Sequence, residues 1–280
     1  TREHIILAKE IGIKYMLVYG NKMDALLERD MKDIVELEIR DVLDSYGYPG
    51  CDVPIVCGSA QKALYEDYET EMGAESVLKL LDEVDNYIPQ PARLINEPFL
   101  MPIEDVLSIT GRGTVLTGKV EKGIIKVGDE VQIVGVKKYD TTCTGLEMFH
   151  KILEIAEAGE NVGVLVRGIN RHDIRRGFVL AKPNTIEARD TFEAKAYILT
   201  KEEGGRHKPF NNKFKPQFFF RTSNVTGAIT LSEGTDIVMP GDTIEFTVQL
   251  LEKVAITINL RFAIREGTIT IGAGVITKLK

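Results

Sequence analysis

The sequence offers little for building a disulfide framework or a metal site. Its three cysteines, Cys51, Cys57 and Cys143, show no metal-ligand spacing and cannot all pair. A reducing compartment is the simplest reading. No stretch is long and apolar enough to span a bilayer as a helix. There is no low-complexity segment, and no signal or transit pattern at the start. Thr1 leads directly into a predicted helix, Glu3-His4-Ile5-Ile6-Leu7-Ala8, so the chain is expected to be a piece of something longer. Of 280 residues, 44% are hydrophobic and 28% charged, the balance of a globular protein of about two or three domains.

The net charge of −7 is unevenly spread. Residues 1–92 hold 9 Lys and Arg against 19 Asp and Glu, a balance of −10; residues 93–280 hold 26 against 23, a balance of +3. The overall acidity therefore does not exclude a nucleic-acid partner for the later part. Between Lys201 and Arg221 six basic residues face only Glu202 and Glu203. Such an excess suits phosphate contacts, although charge alone favours a plain solvated loop.

The apolar strand Tyr15–Tyr19 ends at Gly20 and is followed by Asn21-Lys22-Met23-Asp24. A carboxylate at Asp24 accepts from both the ring N–H and the exocyclic amine of guanine. Adenine offers no such donor pair, so the contact discriminates by roughly 1–3 kcal/mol. The Lys22 stem can lie along the base face, and the Asn21 amide can tie neighbouring loops together. The alternative is a polar turn with Asp24 near a helix start. A second buried strand, Val53–Cys57, precedes Gly58-Ser59-Ala60, whose small residues let a ligand approach the backbone. Between them Met31, Ile34, Val35, Glu38, Val42 and Leu43 recur at helical spacing. The pattern predicts an α/β layer with ligand loops at the carboxyl ends of strands.

A helix is predicted over Ala74–Tyr87, with Val77, Leu78, Leu81 and Val84 as its apolar stripe. Ile88-Pro89-Gln90-Pro91 stops it and marks a domain boundary. After Pro98 the period changes to two. Short strands are separated by turns such as Gly111-Arg112-Gly113, Glu121-Lys122-Gly123 and Val127-Gly128-Asp129, as in a small barrel or sandwich. Another boundary falls near Pro183–Arg189. Beyond it Phe192–Leu199, Gln217–Arg221, Gly227–Leu231, Thr243–Leu250 and Arg261–Arg265 read as strands of a second β domain.

These segments together resemble the elongation factor Tu family of translational GTPases. The likeness runs through Thr1-Arg2-Glu3-His4, Asn21–Asp24, Gly58-Ser59-Ala60, Pro102–Val106, Gly111–Val115, Thr144–Phe149, Ala158–Gly163, Gly204–His207, Met239–Asp242 and Arg261–Gly267. It implies an α/β remnant of a P-loop GTPase domain over 1–90, then two antiparallel β-barrel domains over 98–187 and 188–280. The first barrel would take the aminoacyl end of tRNA, and the second the T stem and an exchange factor. The family's phosphate loop, both switch segments and the residue orienting the attacking water have no counterpart, since no G-x-x-x-x-G-K-[ST] run occurs. An N-terminally truncated fragment that does not hydrolyse GTP alone is the expectation, while the complete protein would be a hydrolase using GTP/GDP and Mg²⁺.

The resemblance assigns guanine to Asn21, Lys22, Asp24, Ser59, Ala60 and Gln61, with the Ala60 N–H meeting the base carbonyl. It assigns aminoacyl-tRNA to Glu104, Asp105, Thr117, Glu147 and Asn161 on the first barrel: carboxylates for the free α-amino group, and Glu147 for the terminal ribose hydroxyls. Arg176 corresponds to an acceptor-stem contact. Arg206, His207, Gln217, Thr226 and Gly267 correspond to T-stem contacts that read backbone shape rather than sequence. His4 matches a position near the exchange-factor surface. Leu107 replaces an aromatic, which is expected to loosen one wall of the amino-acid pocket; His150 replaces an Arg, and Thr268-Ile269 a Gly-Arg pair; Glu252 stands where relatives may carry a base. Each of the last three is expected to weaken contact with tRNA.

The implied partners are aminoacyl-tRNA, the ribosome and exchange factor Ts, with no membrane and a monomeric complete protein. Thr144–Phe149 and Gly204–His207 argue against a selenocysteine-specific or archaeal/eukaryotic factor. The alternative of another class is a GTP-independent RNA-binding or chaperone-like two-barrel protein. His150 after Phe149, and Lys208-Pro209 after His207, look more like mitochondrial members than bacterial ones; plastid and bacterial cytoplasm are the other compartments. A half-built nucleotide domain would leave an apolar sheet edge exposed and prone to association.

Overall fold

A computed structural model describes residues 5, 8–9, 13–25, 30–65, 70–90, 92–109, 111, 113–232 and 234–280. The chain forms two compact units, Thr1–Pro91 and Ala92–Lys280. The predicted helix over Glu3–Ala8, and with it His4, falls largely outside the described residues, as does Arg112. No described helix is long and apolar enough to cross a membrane.

In the first unit, β1 (Val18–Gly20) runs parallel to β2 (Ile55–Cys57), in the register Val18 to Ile55 and Gly20 to Cys57. Helix α1 (Asp30–Ser45) connects them, α2 (Ala60–Leu64) follows β2, and α3 (Ala74–Tyr87) closes the unit. The core is Ile5, Leu43, Tyr48 and Val53, with Val18, Ile39 and Val42 packed on it. Arg40 fastens α1 to the segment before β2. It donates to the carbonyls of Gly50 at 2.6 Å and Val53 at 3.1 Å and pairs with Glu36 one turn back.

The predicted apolar stripes are only partly the buried ones. Leu43 is fully buried, but Met31 and Ile34 on α1 are exposed, as are Leu78 and Leu81 on α3. On α3 the inward positions are Ser76, Val77, Leu80 and Val84. Among the described residues the sheet has only these two strands, so each has one unpaired edge.

The second unit is β structure throughout. Its first half comprises β3 (Leu100–Pro102), β4 (Asp105–Ile109), β5 (Gly113–Lys119), β6 (Ile124–Lys126), β7 (Glu130–Val134), β8 (Lys138–Met148), β9 (Lys151–Leu153), β10 (Ile155–Glu157), β11 (Asn161–Val166) and β12 (Val179–Ala181). The sheet order is β3-β12-β7-β8-β11-β5-β4, with β9 on β8, and β6 pairs β10 separately. Its two edge strands, β3 and β4, are separated in sequence by only Ile103 and Glu104. The sheet therefore curls around a core that includes Met101, Ile103, Leu116, Ile133 and Val164.

The second half comprises β13 (Ala188–Ile198), β14 (Phe210–Asn211), β15 (Gln217–Phe220), β16 (Ser223–Leu231), β17 (Ile237–Val238), β18 (Thr243–Ala255), β19 (Arg261–Glu266) and β20 (Ile269–Leu279). Six of these strands close a barrel in the order β13-β18-β16-β15-β19-β20. Phe192 meets Phe218, Phe220 and Phe262 at 5.6–6.2 Å between ring centroids at the centre. Such pairs each contribute roughly 0.5–1.5 kcal/mol beyond their burial. The sequence reading omitted β20, whose Gly272 and Gly274 interrupt the strand pattern. Both glycines lie where the backbones of β13 and β20 approach closely, an added Cβ at Gly274 meeting Ala196 at 2.6 Å.

The cysteines sit in three different environments. Cys51 is exposed, Cys57 half-buried and Cys143 buried. Burial raises the Cys57 thiol and pushes Cys143 up to about 11. At pH 8 a disulfide reagent is expected to modify Cys51 first, Cys57 more slowly and Cys143 only after unfolding. Equal rates in the folded protein would refute this ordering.

Candidate nucleotide loops and aminoacyl-tRNA face

The loops after β1 and β2 are joined side by side. Met23 N–H donates to Gly58 O at 3.1 Å and Gly58 N–H to Gly20 O at 2.9 Å, continuing the parallel ladder beyond both strands. The Asn21 amide oxygen accepts from Lys22 N–H at 2.8 Å and from Ala60 N–H at 2.9 Å. One side chain thus spans both loops, as its chemistry suggested. Lys22 has φ +62, a left-handed conformation that costs a non-glycine residue about 1 kcal/mol. The bond to Asn21 holds it there. Ser59 is buried and caps α2, its hydroxyl accepting from Lys62 N–H at 3.3 Å. Asp24, in a short 3-10 turn, and Gln61 are exposed beside them.

One expectation is altered. The Ala60 N–H, assigned to a base carbonyl, is already donated to Asn21. Within the first turn of α2 it is the Gln61 N–H that has no partner among the described residues. Gly58 has room for nothing larger: a Cβ there would lie 2.1 Å from Ser76 Oγ and 2.4 Å from Tyr19 Oη.

On the first barrel, register alone lines up the carried-over residues. Asp105 pairs with Thr117 across β4 and β5, Thr117 with Gly163 across β5 and β11, and Gly163 with Glu147 across β11 and β8. The adjacent row, Val106, Leu116, Val164 and Leu146, is buried, so the pleat turns the first row outward. Two carboxylates stand at the ends of this row, with a hydroxyl and a bare glycine between them. Asn161 lies two residues along β11 on the same face, and Glu104 borders it, its N–H bonded to Thr117 O at 2.8 Å. Glu147 lies 3.6 Å from the His150 ring nitrogen.

The sequence singled out Leu107 as one wall of this site and His150 beside it, but not the rest of what surrounds the row. Leu107, Val115 and Leu165 form the next outward row and give it an aliphatic floor. Phe149 is 83% exposed at the tip of the β8–β9 hairpin. Phe149 and His150 both have positive φ without being glycine or asparagine. A left-handed two-residue turn carrying an exposed aromatic is the available signal for this tip.

On the second barrel, Gln217 pairs with Thr226 and with Arg265, one outward row over β16, β15 and β19. Gly267, with φ +60, turns the chain just beyond it. His207 is exposed, but Arg206 is not a free cation. Its side chain is only 13% exposed, stacks on Phe210 and Phe214, and pairs with Glu266 at 3.1 Å. It fixes the loop beside Gly267 instead of presenting charge. Arg221 is likewise committed, to Glu121. The exposed basic residues of this loop are Lys201, Lys208, Lys213 and Lys215. Arg176 donates to Thr222 O at 3.3 Å and lines a cleft of about 300 Å³ between the barrels, together with Thr226.

Three family models match the chain in order. The elongation factor Tu GTP binding domain matches residues 1–90, elongation factor Tu domain 2 matches 113–181, and the elongation factor Tu C-terminal domain matches 185–280.

Proposed function

This chain belongs to the elongation factor Tu family of translational GTPases, and on that premise we propose that the protein delivers aminoacyl-tRNA to the ribosomal A site in a GTP-dependent cycle. The observation that supports this best is the outward row Asp105, Thr117, Gly163 and Glu147. A cationic α-amino group calls for carboxylate acceptors, and a terminal ribose calls for an acceptor beside a flat floor. In this reading Asp105 and Glu104 take the amino group, Glu147 takes the ribose hydroxyls, and Thr117 and Asn161 complete the polar set. The T stem lies along Gln217, Thr226, His207 and Gly267, and the acceptor stem reaches Arg176.

For the nucleotide, the residues present suit the base end. Asp24 accepts from the guanine edge, Lys22 covers its face, and Ser59, Ala60 and Gln61 bound it, with Asn21 as the tie. The sequence holds no glycine-rich phosphate loop, so no hydrolytic step is derived from these residues. Among the described residues no group of three or more His, Cys, Asp or Glu is placed to hold a metal, so none is assigned to Mg²⁺. We extend the proposal to the ribosome and exchange factor Ts as partners, to a monomeric protein with domains over 1–90, 98–187 and 188–280, and to the mitochondrial matrix.

The test compares aminoacylated with deacylated tRNA. Asp105→Asn and Glu147→Gln are each expected to weaken binding of the aminoacylated form about 10-fold to 100-fold, the range for a lost charge-assisted hydrogen bond. Asp105→Asn should leave the deacylated form almost unchanged. Equal loss for both forms would sink the amino-group assignment. Binding indifferent to both the amino acid and GTP would favour a GTP-independent RNA-binding module.

A further inference from the structure

The cleft between the two barrels carries more charge than the carried-over roles require. Arg175, Arg176 and Lys253 line it, with Glu252 as the carboxylate among them. The buried Ser223 hydroxyl, also on its wall, has no hydrogen-bond partner. Arg175 Nη2 is paired with the Glu252 carboxylate across the barrel junction, and its guanidinium lies 5.6 Å from the Phe178 ring centroid. Both partners are half-exposed, Arg175 at 58% and Glu252 at 44%. Arg176 turns away to Thr222 O. Glu252 therefore does not simply subtract charge from a binding face, as the sequence suggested. It occupies a donor of one particular arginine, Arg175 Nη2.

A guanidinium presents the same fork of N–H donors to a carboxylate and to a phosphate. We propose that Glu252 is a built-in competitor for a phosphate group: it holds Arg175 until a backbone phosphate of bound RNA displaces it. This inference rests on the RNA-binding reading above. An ion pair this exposed is weak, so a phosphate also gripped by Arg176 and Lys253 can replace it. Because Arg175 exchanges one anion for another, the pair lowers affinity and flattens the salt dependence of binding. Glu252 thus tempers a grip that a carrier must later release.

The test uses the full chain and inorganic phosphate first. Phosphate is titrated into the wild type and Glu252→Gln while the Arg175 side-chain N–H resonance is followed by NMR. The variant is expected to reach half-saturation at about fivefold lower phosphate, the size of effect an exposed ion pair exerts. Glu245→Gln, which removes a carboxylate from the same strand at its Lys195 pair, should leave the titration unchanged. Equal half-saturation for wild type and Glu252→Gln, or an equal shift in the Glu245→Gln control, overturns the competition. The same proteins are then titrated with an A-form RNA duplex at several salt concentrations. Glu252→Gln should bind about fivefold tighter at low salt, with a slope of log affinity on log salt steeper by just under one. A phosphate effect without an RNA effect overturns the RNA part of the inference. If neither protein binds RNA, the delivery reading fails, while the phosphate comparison still decides whether Glu252 competes.

Discussion

Arg221→Ala is expected to lower the unfolding free energy of the barrel unit by about 3 kcal/mol, the lower end of the range for removing one partner of a buried pair. The Arg221 side chain is only 9% exposed, and all three of its donor groups are used. Nε and Nη2 reach the two Glu121 oxygens at 2.6 and 3.3 Å, and Nη1 reaches Ala255 O at 3.0 Å. Glu121 belongs to the first barrel and Ala255 to the last residue of β18, so one guanidinium ties both barrels to itself. Truncation leaves the partly buried carboxylate of Glu121 without its guanidinium partner and takes the Arg221 donor from the carbonyl of the buried Ala255. Beside it, Leu100, Val134, Val179 and Ala181 of the first barrel pack with Ile186 and with Ala255 of the second in a small apolar cluster. Water admitted at the pair would reach that cluster. Urea unfolding followed by the β signal in circular dichroism measures the loss. Arg221→Lys should fall between wild type and Ala, because it keeps the charge and loses the fork. A change below about 1 kcal/mol for Arg221→Ala would mean that the pair contributes no more than an exposed ion pair.

This pair also shows where reading the sequence stops. Arg206 and Arg221 belong in sequence to a basic stretch, and their type and spacing give no sign of commitment elsewhere. Their partners, Glu266 and Glu121, lie 60 and 100 positions away in sequence. Only the closed barrel and the barrel junction bring these charges together. Asn21 was different. Its amide at the end of a buried strand had one geometric use, bridging to the neighbouring loop, and the bond to Ala60 N–H is that use. The row on the first barrel was legible as residue types but not as a row, because strand register arises from pairing across β4, β5, β11 and β8.

The helices illustrate a different limit. Periodicity located α1 and α3, and α3 has the bounds the pattern gave. It did not choose the buried face, because α3 carries apolar residues over much more than one stripe. Ser76 is buried through its hydrogen bonds to Tyr19 and Gly73, while Leu78 and Leu81 are left outward. A serine on the inner face is invisible to a hydrophobicity pattern. It is also the residue against which Gly58 is packed.

Gly58→Ala is accordingly expected to destabilise the first unit by about 3 kcal/mol, combining overpacking with a lost buried hydrogen bond. The new methyl would stand 2.1 Å from Ser76 Oγ, 2.5 Å from Ser76 Cβ and 2.4 Å from Tyr19 Oη. No side-chain rotation relieves a Cβ–Cβ clash, so α3 must shift away from β2 or the loop after β2 must move. Either displacement separates Tyr19 from Ser76, now 2.8 Å apart. It also draws Ser59 and Ala60 from Asn21. Among the described residues the α-helices all lie in the first unit, so ellipticity at 222 nm reports on this unit while the barrels contribute mainly β signal. The expected result is a lower urea midpoint at 222 nm with the barrel transition unmoved. Guanine nucleotide binding should weaken along with it. Combining Gly58→Ala with Ser76→Gly and Tyr19→Phe removes the three clashing atoms. It should recover part of the loss, less about 1 kcal/mol for glycine within a helix. A midpoint for Gly58→Ala equal to wild type would show that the loop after β2 yields freely. The Asn21–Ala60 tie would then not depend on the packing of α3.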